Sequence, residues 1–167
     1  MIAARRAVLA AACCATVVLA AAGCGSSGSS KPLTKHQYVA KADAICVDGE
    51  RRIAPYKAQL DRLTSGGDPQ QVFAKAPGII RRATAQTGRL VDRLAALRAP
   101  AADAAAVQAW IGDVRAQQRL LEQSASAFAK KDVRRIRSLS AQLGRVDRSA
   151  DRFARRYGMS ACATPAS

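Results

Sequence analysis

The sequence predicts an all-α, up-down-up-down four-helix bundle over residues 34–163. Three observations carry that expectation. Four stretches of comparable length repeat apolar residues at three-to-four spacing, no stretch alternates apolar and polar residues as a half-buried strand does, and short connections join them. Ala supplies 38 of 167 residues while aromatic residues make up 4%, so the core should be thin and formed by close helix approach instead of large side chains.

The first helix is expected from Lys35 to Thr64. Thr34 followed three residues later by Gln37 is a capping-box pattern, and the series Tyr38/Val39, Ala42, Ile45/Cys46, Gly49, Ile53, Tyr56, Leu60, Leu63 then follows one face. Gly49 weakens the helix and Pro55 removes a backbone donor, so a kink or break is expected near residues 51–55. Asp68-Pro69 reads as a cap followed by a first helical residue, opening a second helix to Arg98. An interruption is expected in it at Pro77-Gly78. Ile80, Ala83, Thr87, Leu90/Val91, Leu94 and Leu97 form its inward series, and Ala99-Pro100 ends it.

A third helix, Ala101 to Lys130, places Val107, Trp110/Ile111, Val114, Gln118, Leu121, Ala125 and Phe128 inward. Asp132 caps the fourth, in which Val133, Ile136, Leu139, Leu143, Val146, Ala150, Phe153 and Tyr157 share a stripe that Gly158 terminates.

Residues 1–23 read differently. Arg5-Arg6 precede an uncharged run from Ala7 to Ala22, too short to span a bilayer comfortably, which together have the form of a signal peptide. Small residues then lead into a cysteine, and Ala21-Ala22-Gly23-Cys24 resembles the lipobox of bacterial lipoproteins. The resemblance implies that Cys24 carries a diacylglyceryl group, becomes the mature N-terminus and anchors an extracytoplasmic protein to the cell membrane. Residues 24–33 are then the lipidated cysteine and a Gly/Ser tether, whose stretch from Gly25 to Pro32 reaches roughly 25–30 Å when extended. Residues 164–167 are a short tail.

Cys13 and Cys14 would leave with the signal, so Cys46 and Cys162 remain as a possible pair outside the reducing cytoplasm. In an up-down-up-down bundle the first helix starts at the end where the fourth finishes, so a tail folding back from Tyr157 can reach Cys46. Two separate buried thiols are the other reading. A second likeness points the same way: Lys41-Ala42-Asp43-Ala44-Ile45-Cys46, Leu94-Ala95-Ala96-Leu97-Arg98-Ala99-Pro100, and Tyr157-Gly158 with Cys162 resemble small helical lipoproteins of high-GC Gram-positive bacteria. That resemblance implies an envelope address and a cysteine pair, and transfers no active site.

A search for chemistry returns no constellation. His36 is the lone histidine and reads as a surface or capping residue; only Asp43 shares its face. There is no Glu-x-x-His, Cys-x-x-Cys or phosphate-cradling Gly-rich loop, so no metal or cofactor is expected and the chain reads as non-catalytic. Asp147, beside Val146, is expected at the seam edge paired with an arginine, and Trp110 in the core.

Charge is the strongest functional clue. Without Arg5 and Arg6 the chain holds 25 basic and 12 acidic side chains, a formal +13. Export separates it from nucleic acid, leaving phospholipid headgroups and wall polymers as polyanionic partners. Residues 130–157 carry a net +7 while residues 99–129 sum to −1. Arg134, Arg135, Arg137, Arg145, Arg148, Arg152, Arg155 and Arg156 all avoid the apolar stripe. They read either as a solvated face made basic by codon usage or as an anion-binding face. A carrier for a small amphiphile, with a cavity lined by Trp110 and Tyr56, is the alternative; the abundance of Ala argues for tight helix approach over such a cavity.

Overall fold

The computed structural model describes residues 31–163, so the expected signal peptide, Cys24, most of the expected tether and the tail after Ala163 lie outside the described residues. Four helices form in chain order: α1 (Lys35–Ser65), α2 (Pro69–Ala95), α3 (Ala104–Ala129) and α4 (Val133–Tyr157), with 3₁₀ turns at Ala101–Asp103 and Ser160–Cys162.

Local capping chemistry sets most of the helix ends. The Thr34 Oγ1 accepts from the Gln37 N–H at 3.2 Å while Gln37 Oε1 accepts from the Thr34 N–H at 3.0 Å, completing the capping box. Asp68 Oδ1 accepts from the Gln70 N–H at 2.9 Å, and Asp132 Oδ1 from the Arg135 N–H at 2.9 Å. At the other end of α4, Gly158 takes φ 97°, a left-handed stop that a side chain would strain.

Pro77 interrupts α2 less than the sequence suggests. α1 runs through Pro55 and α2 through Pro77 as continuous helices, so the expected interruption at Pro77-Gly78 is absent. Each ring removes one backbone hydrogen bond, whereas Ala76, Pro77, Ile79 and Ile80 are all buried; packing on both sides of the ring outweighs the local cost. α2 also ends at Ala95 instead of Arg98, with Pro100 leading into a 3₁₀ turn before α3.

α1 packs on α2, α2 on α3 and α3 on α4. Along most of their length α1 and α4 scarcely approach each other. They converge at one end, where the Tyr38 ring meets Tyr157 edge-on with centroids 6.0 Å apart. The tail closes that end: Cys46 and Cys162 are joined at 2.09 Å with Cα atoms 5.1 Å apart, and Asp43 Oδ1 accepts from the Ala161 N–H at 2.9 Å. Cys46 is buried on the α1 seam.

Gly49 accounts for part of this geometry. A Cβ there would lie 1.9 Å from Leu90 Cδ1, so the glycine lets α1 settle onto α2, and Arg93 of α2 secures the approach through an ion pair with Asp48. Arg52 and Arg93 donate to that carboxylate and hold it well below the usual carboxylate range. Among the described residues no helix is long and apolar enough to cross a membrane.

Candidate functional site

Two surfaces of the bundle merit attention, and both follow from where α4 stands. The first is its outer face. At about 100° per residue, Arg134, Arg137, Arg145, Arg148, Arg152, Arg155 and Arg156 fall within an arc of roughly a quarter turn. Leu139, Ala150, Ala154 and Tyr157, which are buried, centre on the opposite side. All eight predicted arginines are exposed. Arg135 is the one that departs from the arc: it turns toward α3 and donates to Gln123 Oε1 at 2.6 Å. The arc contains no carboxylate. Asp132 is used as the α4 cap, while Asp147 and Asp151 lie on the flank.

Asp147 differs from expectation. Its hydrogen bond comes from Gln117 Nε2 of α3, at 2.6 Å, in place of an arginine. Partial desolvation raises its carboxyl above the ordinary value, against the stabilising effect of that bond. The interaction ties α4 to α3 and explains why this acid sits beside a core stripe.

The second surface is the space left between α1 and α4. It is a cleft of about 510 Å³. α1 contributes one wall through Val47, Glu50, Ile53 and Lys57, and α4 the other through Ala150 and Asp151. Leu90 and Leu94 of α2, with Trp110 and Val114 of α3, form the floor, and the tail from Ser160 to Ala163 closes one end. Trp110 lines this cleft as the carrier reading required; Tyr56 does not. The Ala-rich composition had argued against a cavity, and Ala does permit close approach elsewhere, but helix proximity is set pair by pair and α1 leans toward α2.

Trp110 is 3% exposed and stacks on Phe153 with centroids 6.0 Å apart, and Phe153 stacks on Tyr157 at 5.3 Å. Its indole N–H is buried and has no hydrogen-bond partner. An unpaired buried donor is uncommon and costly. On the cleft rim, both Glu50 carboxylate oxygens accept from Lys57 Nζ at 2.9 Å. The exposed lip includes Val47, a large apolar side chain left 57% accessible.

The remaining residues of interest are placed simply. His36 is exposed in the first turn of α1, and Asp43 is engaged by the tail. Among the described residues no group of three or more His, Cys, Asp and Glu side chains could hold a metal ion. Sequence periodicity found the arginine face because it lies on one helix. The cleft escaped it, since its lining comes from four helices and the tail. Matched against protein-family models, curated proteins and solved structures, the chain is similar to none of them.

Proposed function

We propose that this chain is a lipid-anchored, extracytoplasmic binding protein, fixed to the cell membrane through Cys24 and held against anionic headgroups or wall polymer by the outer face of α4. The arginine arc is the observation that carries the reading. Seven guanidinium groups share one exposed side of a helix, with no acid among them and the buried stripe directly opposite. Basic side chains close to an anionic surface contribute about 1 kcal/mol each, an attraction that fades over a Debye length.

The position of the tether supports the same reading. The Leu33 N–H donates to the Arg98 carbonyl at 3.0 Å, and Lys35 Nζ lies 4.5 Å from the centre of the Tyr157 ring. The chain leading back to Cys24 therefore leaves the bundle at the end where α4 finishes with Arg155 and Arg156. A tether of roughly 25–30 Å keeps that end near the lipid headgroups. No constellation in the described residues suggests a reaction, so the role proposed is binding.

Sedimentation of the unlipidated mature chain, Cys24→Ser, with vesicles and with wall fragments over a salt series tests the proposal. Binding to anionic vesicles or wall fragments should fall steeply with salt. Replacing Arg145, Arg148 and Arg152 by Gln should weaken it on the order of a hundredfold, three times about 1 kcal/mol. Equal binding to neutral vesicles would show that the arginines are only a solvated face.

A further inference from the structure

We infer that the cleft between α1 and α4 binds the alkyl chain of a single-chain amphiphile whose head is uncharged and forms hydrogen bonds. This goes beyond the surface role of α4 and uses the opposite side of that helix. The volume, about 510 Å³, falls within the roughly 300–1,000 Å³ of small-molecule sites. Its floor is apolar, built by Leu90, Leu94, Trp110 and Val114. Leu94, Trp110 and Val114 are themselves buried, so the apolar surface left accessible in the cleft is that of Leu90 and Ile53, together with Val47 on the lip. Here the two walls stand apart, and Val47 remains largely exposed on the lip. An alkyl chain laid along the floor would cover that surface without any change in the helix ends, which the caps and the tail fix independently.

The rim selects the head. Lys57 is the one basic side chain lining the cleft, and it is already engaged by Glu50. An anionic head is therefore better served by the arginine arc, on the far side of α4, than by this rim. What the rim offers a ligand is hydrogen bonding: the Ser160 hydroxyl, the Thr87 oxygen as an acceptor, its proton being donated to the Ala83 carbonyl, and the paired Glu50 and Lys57 side chains. Trp110 adds a further indication, since a buried indole N–H without a partner is the kind of group that a bound acceptor, or a small shift of the floor on binding, can satisfy.

Trp110 is the single tryptophan of the chain, so its fluorescence reports on this cleft. The unlipidated mature chain with its disulfide intact is titrated with dodecyl maltoside below its micelle concentration, and with a maltoside of the same length brominated on the alkyl chain. Saturable quenching by the brominated chain is expected, with no response to maltose. Ile53→Asp on the α1 wall should weaken it at least tenfold. Val47→Asp, at an exposed position where folding is not at stake, should weaken it measurably. The Arg145, Arg148 and Arg152 to Gln variant should bind the maltoside like the parent, which separates this proposal from the one resting on α4. Absent or unsaturable quenching, or quenching that neither Ile53→Asp nor Val47→Asp alters, overturns the site. Tighter binding of dodecyl sulfate than of dodecyl maltoside overturns the assignment of the head.

Discussion

The two ends of the bundle are built from different materials. At the end shared by the start of α1 and the finish of α4, Tyr38, Leu94, Val107, Ile111 and Met159 are almost wholly buried, and Trp110, Phe153 and Tyr157 stack beside the Cys46–Cys162 bridge. At the far end the buried cluster is Ala76, Ile80 and Ala125, with Leu60, Leu63, Val72, Leu121 and Phe128 only partly covered. One end is thus held by stacked aromatic rings and a covalent tie, the other by Leu139, Ile80, two alanines and partly covered apolar side chains. The comparison teaches that the cleft belongs to the bridged end, since Cys46, Leu94, Trp110 and Cys162 all line it.

Core truncation should separate the ends most sharply. Leu94 is 1% exposed and lies in the larger cluster, so Leu94→Ala should cost about 2–5 kcal/mol. Leu63, only partly buried at the far end, should cost about 1 kcal/mol as Leu63→Ala, the removed methylenes having been in water in part already. Urea unfolding of both variants checks this. Equal losses would mean that the far end packs as tightly as the bridged one.

Cutting the bridge should come next. The cysteines are separated by 116 residues in sequence, and removing such a link typically costs about 2–4 kcal/mol, chiefly through the unfolded chain. A Cys46→Ala/Cys162→Ala double variant should lose that stability. Its hydrogen exchange should quicken first from Ser160 to Ala163 and in the opening turns of α1, while the α2–α3 contact keeps its protection. Uniformly faster exchange across all four helices would show instead that the tail supports the whole bundle.

How much of this was legible in the sequence depends on the range over which each feature is determined. Thr34 with Gln37, Asp68 with Pro69, Asp132 and Gly158 act on neighbouring backbone groups, and the helix starts and the α4 stop fall where these residues predict. The arginine face was legible for the same reason, because one helix carries it; Arg135 departed only through a partner on α3. Pro77 misled because its local cost was weighed without the packing around Ala76 to Ile80. The separation of α1 from α4 could not be read, since it depends on Leu90 occupying the space that Gly49 leaves, and no periodicity within one helix encodes the distance to another. The pairing of Cys46 with Cys162 stood between these cases: topology made it feasible, and the structure joins the two sulfurs.

Tyr38 gives the smallest expected change at neutral pH and the sharpest one with pH. Its hydroxyl is buried without a hydrogen-bond partner, and burial pushes its pKa up to about 12. The neighbouring Tyr157 is shifted the same way, first by burial and then by the hydrogen bond it donates to Asp103 Oδ2 at 2.8 Å. A tyrosine raised in the folded state contributes stability that is complete below its unfolded pKa, about 10, and is lost as pH climbs through the folded value. The bundle should therefore weaken between about pH 10 and 12. Tyr38→Phe keeps the ring against Tyr157 and removes an unsatisfied polar atom, so at pH 7 it should leave the melting temperature unchanged or raise it. Above pH 10 the variant should lose less stability than the parent, the remainder belonging to Tyr157. A Tyr38→Phe protein destabilised by more than about 1 kcal/mol at neutral pH would mean that the hydroxyl is satisfied by a buried water, and the bridged end of the bundle would then be wetter than its side chains indicate.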